Sequence, residues 1–173
     1  IPYRVPGALD LTLSASNVFV VDDASEYGKG LADGVKDALG DLVKDTDEVQ
    51  QKQTDFSATV TKVAASNADA LFYGGYYAEA AILAKQLRQQ GWKGTIVVGD
   101  GVKDDGYIKA AGSAAEGTVM TCPCLPPEKA PEFQAAFKAA YGSDPATYSA
   151  EGYDAANVFL AAIAAGKTSL ADV

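Results

Sequence analysis

The chain has 173 residues, 48% of them hydrophobic, with 14 basic and 23 acidic residues and a formal net charge of −9. That length suits one ordinary domain with its own core and is marginal for two. The basic residues are scattered, which leaves no electrostatic footprint for nucleic acid, and the complete absence of histidine removes His-based triads and most catalytic zinc sites.

The opening, IPYRVPGALD, has neither a basic n-region nor an apolar h-region, so the chain reads as a mature form, a fragment or a cytosolic protein. No apolar run approaches the length of a transmembrane helix. The first strong element is NVFVVDD, residues 17–23, an apolar run ending in acids that reads as a buried parallel strand. A helix is predicted after it, with Ser25 as N-cap and Gly40 at the C-terminal cap. Tyr27, Leu31, Val35, Ala38 and Leu39 share one face of that helix.

Residues 44–54, rich in Asp, Gln and Lys, read as an exposed stretch, after which Asp55 is placed to cap a second helix with an apolar stripe of Phe56, Val60 and Val63. ADALFYGG, 68–75, is the next strand. The run YAEAAILAKQLRQQG is the clearest helix of the chain, with Ile82, Leu83 and Leu87 facing inward and Gly91 closing it. GTIVVGD, 94–100, returns as a strand. This βαβαβ succession predicts an α/β fold, an open, doubly wound parallel sheet with helices on both faces. GTVMTCPCL, 117–125, is a further strand-like run that meets a proline-rich break at Pro123, Pro126, Pro127 and Pro131. Two more helices are predicted beyond it, near 131–141 and 149–165.

Ligands of open parallel sheets bind outside the carboxyl ends of the strands, where helix N-termini and loop amides converge. Those ends carry Asp22, Asp23 and Tyr27, then Gly74, Gly75, Tyr76 and Tyr77, then Gly99, Asp100 and Gly101. Two readings stand. In one, they form a cup for a small molecule with a positive group, Asp100 pairing with an ammonium and tyrosine faces adding cation–π attraction, while the glycines let the ligand approach backbone. In the other, the acids and glycines only end strands and cap helices, and the tyrosines fill the rim of the core.

A phosphate cradle is excluded in detail, since GxxxxGK[ST] is absent and YGKGLADG lacks the GxGxxG spacing. A phospho-acceptor site would have Asp22, Asp23 and Lys103 but needs a further acid where FYGG has none. The carboxylates are isolated rather than paired for catalysis, so no enzyme is expected. Cys122 and Cys124 bracket one proline, and residues two apart in an extended chain lie about 6.6 Å apart, near the upper limit for a bridge. Free thiols, a local bridge or a partner outside the chain all remain open. Two cysteines without histidine are too few for a zinc site, and neither a metal nor a cofactor is expected.

Taken in order, VVDDASEYGKGLAD, TDFSATVTKVAASNADALFYGGYYAEAAILAKQLRQQG, VGDG and AAEGTVMT resemble the periplasmic binding proteins for branched-chain amino acids, the type I solute-binding family of ABC transporters. The resemblance covers most of residues 17–121. It implies a two-lobed receptor that closes on leucine, isoleucine or valine and delivers it unchanged to a membrane permease. A monomer in the periplasm or outside the cell is implied, made with an upstream signal peptide and in some members anchored to the surface by lipid. The same fold also serves as a ligand-sensing domain in receptors and regulators, the alternative reading.

Carried over by position, the resemblance places Tyr27 along the aliphatic part of the ligand, Tyr76 after Gly75 near its backbone portion, and Asp100 at the α-ammonium. Tyr148, in DPATYSAEGYDAA, matches an aromatic that walls the side-chain pocket. Residues 1–121 would form the second-lobe α/β ligand-binding domain, with the hinge into it at 3–6. Residues 122–173 would be the other hinge crossing and a partial return of the first lobe, with the cysteines on the hinge. The helix that normally follows the first hinge is shortened to GALDLTLSASN, and the first-lobe segment that holds the ligand carboxylate has no counterpart.

Overall fold

The computed structural model describes residues 15–167 and 169, so the expected hinge at 3–6 and most of the shortened segment after it lie outside the described residues. The chain divides into two compact units, Ile1–Cys122 and Pro123–Val173.

The first unit is built on five parallel strands, β1 (Val18–Asp22), β2 (Val43–Glu48), β3 (Ala70–Gly74), β4 (Thr95–Val98) and β5 (Val119–Met120). They lie in the order β2-β1-β3-β4-β5. Four helices connect them: α1 (Glu26–Leu39), α2 (Ser57–Ala65), α3 (Tyr77–Gln89) and α4 (Asp105–Ala111).

Because side chains alternate along a strand, the central strands feed two cores at once. Phe19, Val21, Leu71, Tyr73, Ile96 and Val98 pack with Val63, Leu83, Leu87 and Tyr107 from α2, α3 and α4. Val18, Val20, Ala70 and Phe72 face the other way, against Ala32, Leu31, Val35 and Leu39 of α1. Every residue of β1 and β3 is buried, which is why these runs read as unbroken apolar segments in the sequence. The doubly wound parallel sheet anticipated from the βαβαβ pattern is therefore present.

Two elements of this unit were not anticipated. Residues 44–48, read as the start of an exposed polar stretch, form β2 together with Val43, and its side chains are largely exposed. It is an edge strand, paired with β1 along its backbone and with Val43 packed against the Val18 and Val20 side of the core, and its exposed Lys44, Asp45 and Glu48 discourage another strand from adding there. The short helix α4 was also not predicted; Asp104 caps it by accepting from the Gly106 amide at 2.7 Å.

The second unit holds α5 (Pro131–Tyr141) and α6 (Ser149–Ala164), as predicted. Phe133 bridges them, its ring centroid 5.4 Å from that of Tyr153. Neither helix has a buried residue, and Val158, Phe159, Leu160 and Ile163 of α6 are more than half exposed.

Candidate functional site

The strand order changes direction between β1 and β3, the point where ligands of open α/β sheets bind. The turn leaving β1 is made by its own acids. Asp22 Oδ1 accepts from the Ala24 amide at 3.0 Å, and Asp23 Oδ1 accepts from the Ser25 amide at 3.0 Å and the Ser25 hydroxyl at 2.5 Å. Ala24 takes the left-handed conformation (φ 59°) at the tip. Ser25 Oγ in turn accepts from the Gly28 amide at 2.9 Å, the predicted N-cap. For Asp22 and Asp23, the turn-forming reading is the one the geometry supports.

This turn seats the start of α1 directly on the end of β3. A Cβ on Gly28 would meet the Gly74 carbonyl oxygen at 2.5 Å and collide with the Asp23 carboxylate, so the two backbones touch through glycine. The room at Gly28 is filled by protein. Gly30, by contrast, has nothing within 4 Å of where a Cβ would stand.

With α1 held this way, Tyr27 reaches across the switch point. Its hydroxyl donates to Asp100 Oδ1 at 2.9 Å and accepts from the Gly101 amide at 2.9 Å. Its ring lies 5.2 Å from that of Tyr76, tilted by 31°, close to the favourable range for an aromatic pair. Asp100 opens a 3-10 turn, Asp100–Val102, immediately after β4. Gly75 joins the same group, because a Cβ on Gly101 would lie 2.7 Å from the Gly75 carbonyl oxygen. Four predicted site residues, Tyr27, Gly75, Tyr76 and Asp100, are thus gathered at one sheet edge, with a carboxylate beside two aromatic rings. Such a surface suits an organic cation.

Two glycines near this edge are closely packed by tyrosines. On the Cβ side, Gly75 is covered by the Tyr73 hydroxyl, 2.6 Å from where a methyl would be, and Gly106 by the Tyr77 ring, also at 2.6 Å. Tyr73 is buried, and burial, reinforced by the charges of Asp23, Glu79 and Asp22, pushes its hydroxyl far above the ordinary tyrosine range, so it stays protonated.

Gly101 was read from sequence only as one of the glycines at the strand ends, and Glu79 was not singled out. Gly101 contributes an amide to the Tyr27 hydroxyl, and the only signal for it was its place in VGDG. Glu79, buried in the first turn of α3, accepts from the Lys52 amide at 2.6 Å. Gln86 adds bonds to the Phe56 amide at 2.7 Å and the Thr54 carbonyl at 3.1 Å. Together they hold the loop between β2 and α2, where Lys52 is left-handed (φ 64°), to the flank of α3. A carboxylate among alanines at the head of a helix was the available clue.

Tyr148 belongs to the second unit. It precedes α6 in a left-handed conformation (φ 66°), its carbonyl accepting from the Gly152 amide at 2.9 Å, and lines a small depression with Leu125, Phe133 and Pro145. Cys122 and Cys124, whose state the sequence left open, are both disulfide-bonded.

Residues 8–173 match the family described as Periplasmic binding protein. Leu/Ile/Val-binding protein homolog 3 of Brucella melitensis is 37% identical over 107 residues, 60% of this chain and 29% of that protein. The leucine-specific-binding protein of Salmonella typhimurium is 33% identical over 116 residues, 65% of this chain and 31% of that protein. Among solved structures, the leucine binding protein LivK of Thermotoga maritima superposes with a TM-score of 0.81 at 33% identity, covering 90% of this chain and 47% of that one. LivJ of Streptococcus pneumoniae, solved in complex with isoleucine, gives 0.74 at 29% identity, covering 84% of this chain and 44% of that one. The chain therefore spans less than half the length of the relatives it matches.

Proposed function

Since the chain belongs to the periplasmic binding protein family, we propose that it is the ligand-binding part of an extracytoplasmic receptor that captures a branched-chain amino acid and passes it, chemically unchanged, to the permease of an ABC transporter. The observation that carries this reading is the cluster of Tyr27, Tyr76 and Asp100 at the β1/β3 switch point. The carboxylate pairs with the α-ammonium and the rings flank it, while Gly75 lies close enough for its backbone to join. LivJ, whose structure contains isoleucine, and the leucine- and Leu/Ile/Val-binding relatives support the ligand class.

The pocket needs a second wall. The aligned share of the relatives and the uncovered apolar residues of α6 both support assigning residues 1–121 to one lobe and 122–173 to a hinge crossing and part of another. Tyr148, in the second unit, is the residue carried over by resemblance as an aromatic for the ligand's side chain. Closure would follow from ligand contacts that both lobes make only when shut. A monomer outside the cytoplasm accords with this reading.

Calorimetry on the intact protein tests it. Leucine, isoleucine or valine should release heat at a single site, and Asp100→Ala should weaken binding at least about tenfold, as expected when a charge-paired hydrogen bond is lost. No heat from any aliphatic amino acid would overturn the ligand assignment. Wild-type affinity in Asp100→Ala would remove Asp100 from the site.

A further inference from the structure

The hydroxyl of Tyr27 is bonded on both sides by a single short segment, the 3-10 turn after β4, although 73 residues separate it from Asp100. The first amides of such a turn have no partner within it and need an acceptor from elsewhere. Tyr27 Oη is that acceptor for Gly101, and it donates in the same place to the Asp100 carboxylate. The fit is built in. A Cβ on Gly101 would press on Tyr27 Cε1 at 2.9 Å and on its Oη at 3.0 Å, and one on Gly99 would lie 3.1 Å from the same oxygen. Glycine on both sides of Asp100 makes the space in which the phenol sits, and Tyr76 fixes the tilt of its ring.

From this geometry we propose that Tyr27 is a positioning residue: its hydroxyl locks the Asp100 carboxylate and the turn that carries it, and so makes the site select for ligands that bear an ammonium. A carboxylate aimed in advance binds a cation without the cost of ordering it. The role is distinct from lining the aliphatic part of the ligand, which a phenylalanine would do as well. The ligand half of this inference rests on the amino-acid reading above; the structural half does not.

The conservative variant Tyr27→Phe separates the two. In the ligand-free chain, amide exchange at Gly101 followed by NMR should accelerate about tenfold or more once its acceptor is gone. In the intact protein, leucine should be compared with 4-methylpentanoate, the same molecule without its amino group. Wild type should prefer leucine, and Tyr27→Phe should erode that preference by about tenfold while leaving affinity for 4-methylpentanoate nearly unchanged. Asp100→Asn and the double variant should lose no more discrimination together than Asp100→Asn alone, the non-additivity of residues acting as one unit.

Unchanged Gly101 exchange in Tyr27→Phe would overturn the positioning role whatever the ligand is. Equal losses for leucine and 4-methylpentanoate would overturn the ammonium selectivity and leave a wall residue. If wild type binds neither compound, the amino-acid reading fails along with the selectivity, and Gly101 exchange alone decides whether Tyr27 holds the turn.

Discussion

Single glycines in α1 carry opposite consequences. At Gly28 a methyl would be driven into the Gly74 carbonyl, which is backbone, and into the Asp23 carboxylate, which its bonds to the Ser25 amide and hydroxyl hold in place. Gly28→Ala should therefore destabilise by about 1–3 kcal/mol, as overpacking of a tight contact does. Gly34 has the same helical setting and nothing within 4 Å. Gly34→Ala should stabilise by about 0.5–1 kcal/mol through helix propensity and a less disordered unfolded chain. Urea unfolding of the two variants checks both signs, and equal effects would show that the contact between α1 and β3 is looser than described.

At the scale of elements, the start of the sheet is tied by a carboxylate. Asp69, just before β3, accepts from the Ser16 amide at 2.8 Å and the Asn17 amide at 3.0 Å, which anchors the segment leading into β1. Those backbone bonds, first from Ser16 and then from Asn17, hold its carboxyl below the ordinary value. Asp55, bonded to the Ser57 hydroxyl and amide at the head of α2, is lowered in the same way. A depressed folded-state value means that stability is fully present above the unfolded value near pH 4 and is lost as the pH falls through the folded one. Thermal midpoints measured between pH 5 and 2 should drop, and Asp69→Asn, already weaker at pH 7, should show a shallower drop than wild type. A slope identical to wild type would mean that Asp69 does not carry the effect. This scale is also where sequence was hardest to read. β2 escaped notice because an edge strand gains its hydrogen bonds from a neighbour and has no need of an apolar pattern, whereas β1 and β3, buried on both faces, could hardly be read otherwise.

At the scale of the whole molecule, the two units differ in what holds them. The first has two cores with side chains such as Phe19, Phe56, Leu71 and Leu87 fully shielded, whereas α5 and α6 bury none. Cooperative stability follows buried apolar area. A chain ending at Thr121 should thus keep a single cooperative unfolding transition, and amides of β1 and β3 should exchange far more slowly than those of α5 and α6. Loss of cooperative unfolding on truncation would show that the sheet depends on the second unit.

The sequence alone was enough for the α/β class, the central strands, the caps at Ser25 and Gly40, and the family, because buried strands, amphipathic helices and caps leave local patterns of apolar, polar and glycine residues. It also named Tyr27, Tyr76 and Asp100 as occupants of one sheet edge, since that follows from chain order in a parallel sheet. Only the tertiary structure decided what these residues do to one another: that Asp22 and Asp23 are spent on their own turn, that Gly28 and Gly75 make room for protein, and that the Tyr27 hydroxyl is held by Asp100 and Gly101. Those facts depend on distances between segments far apart in the chain, which no local pattern encodes.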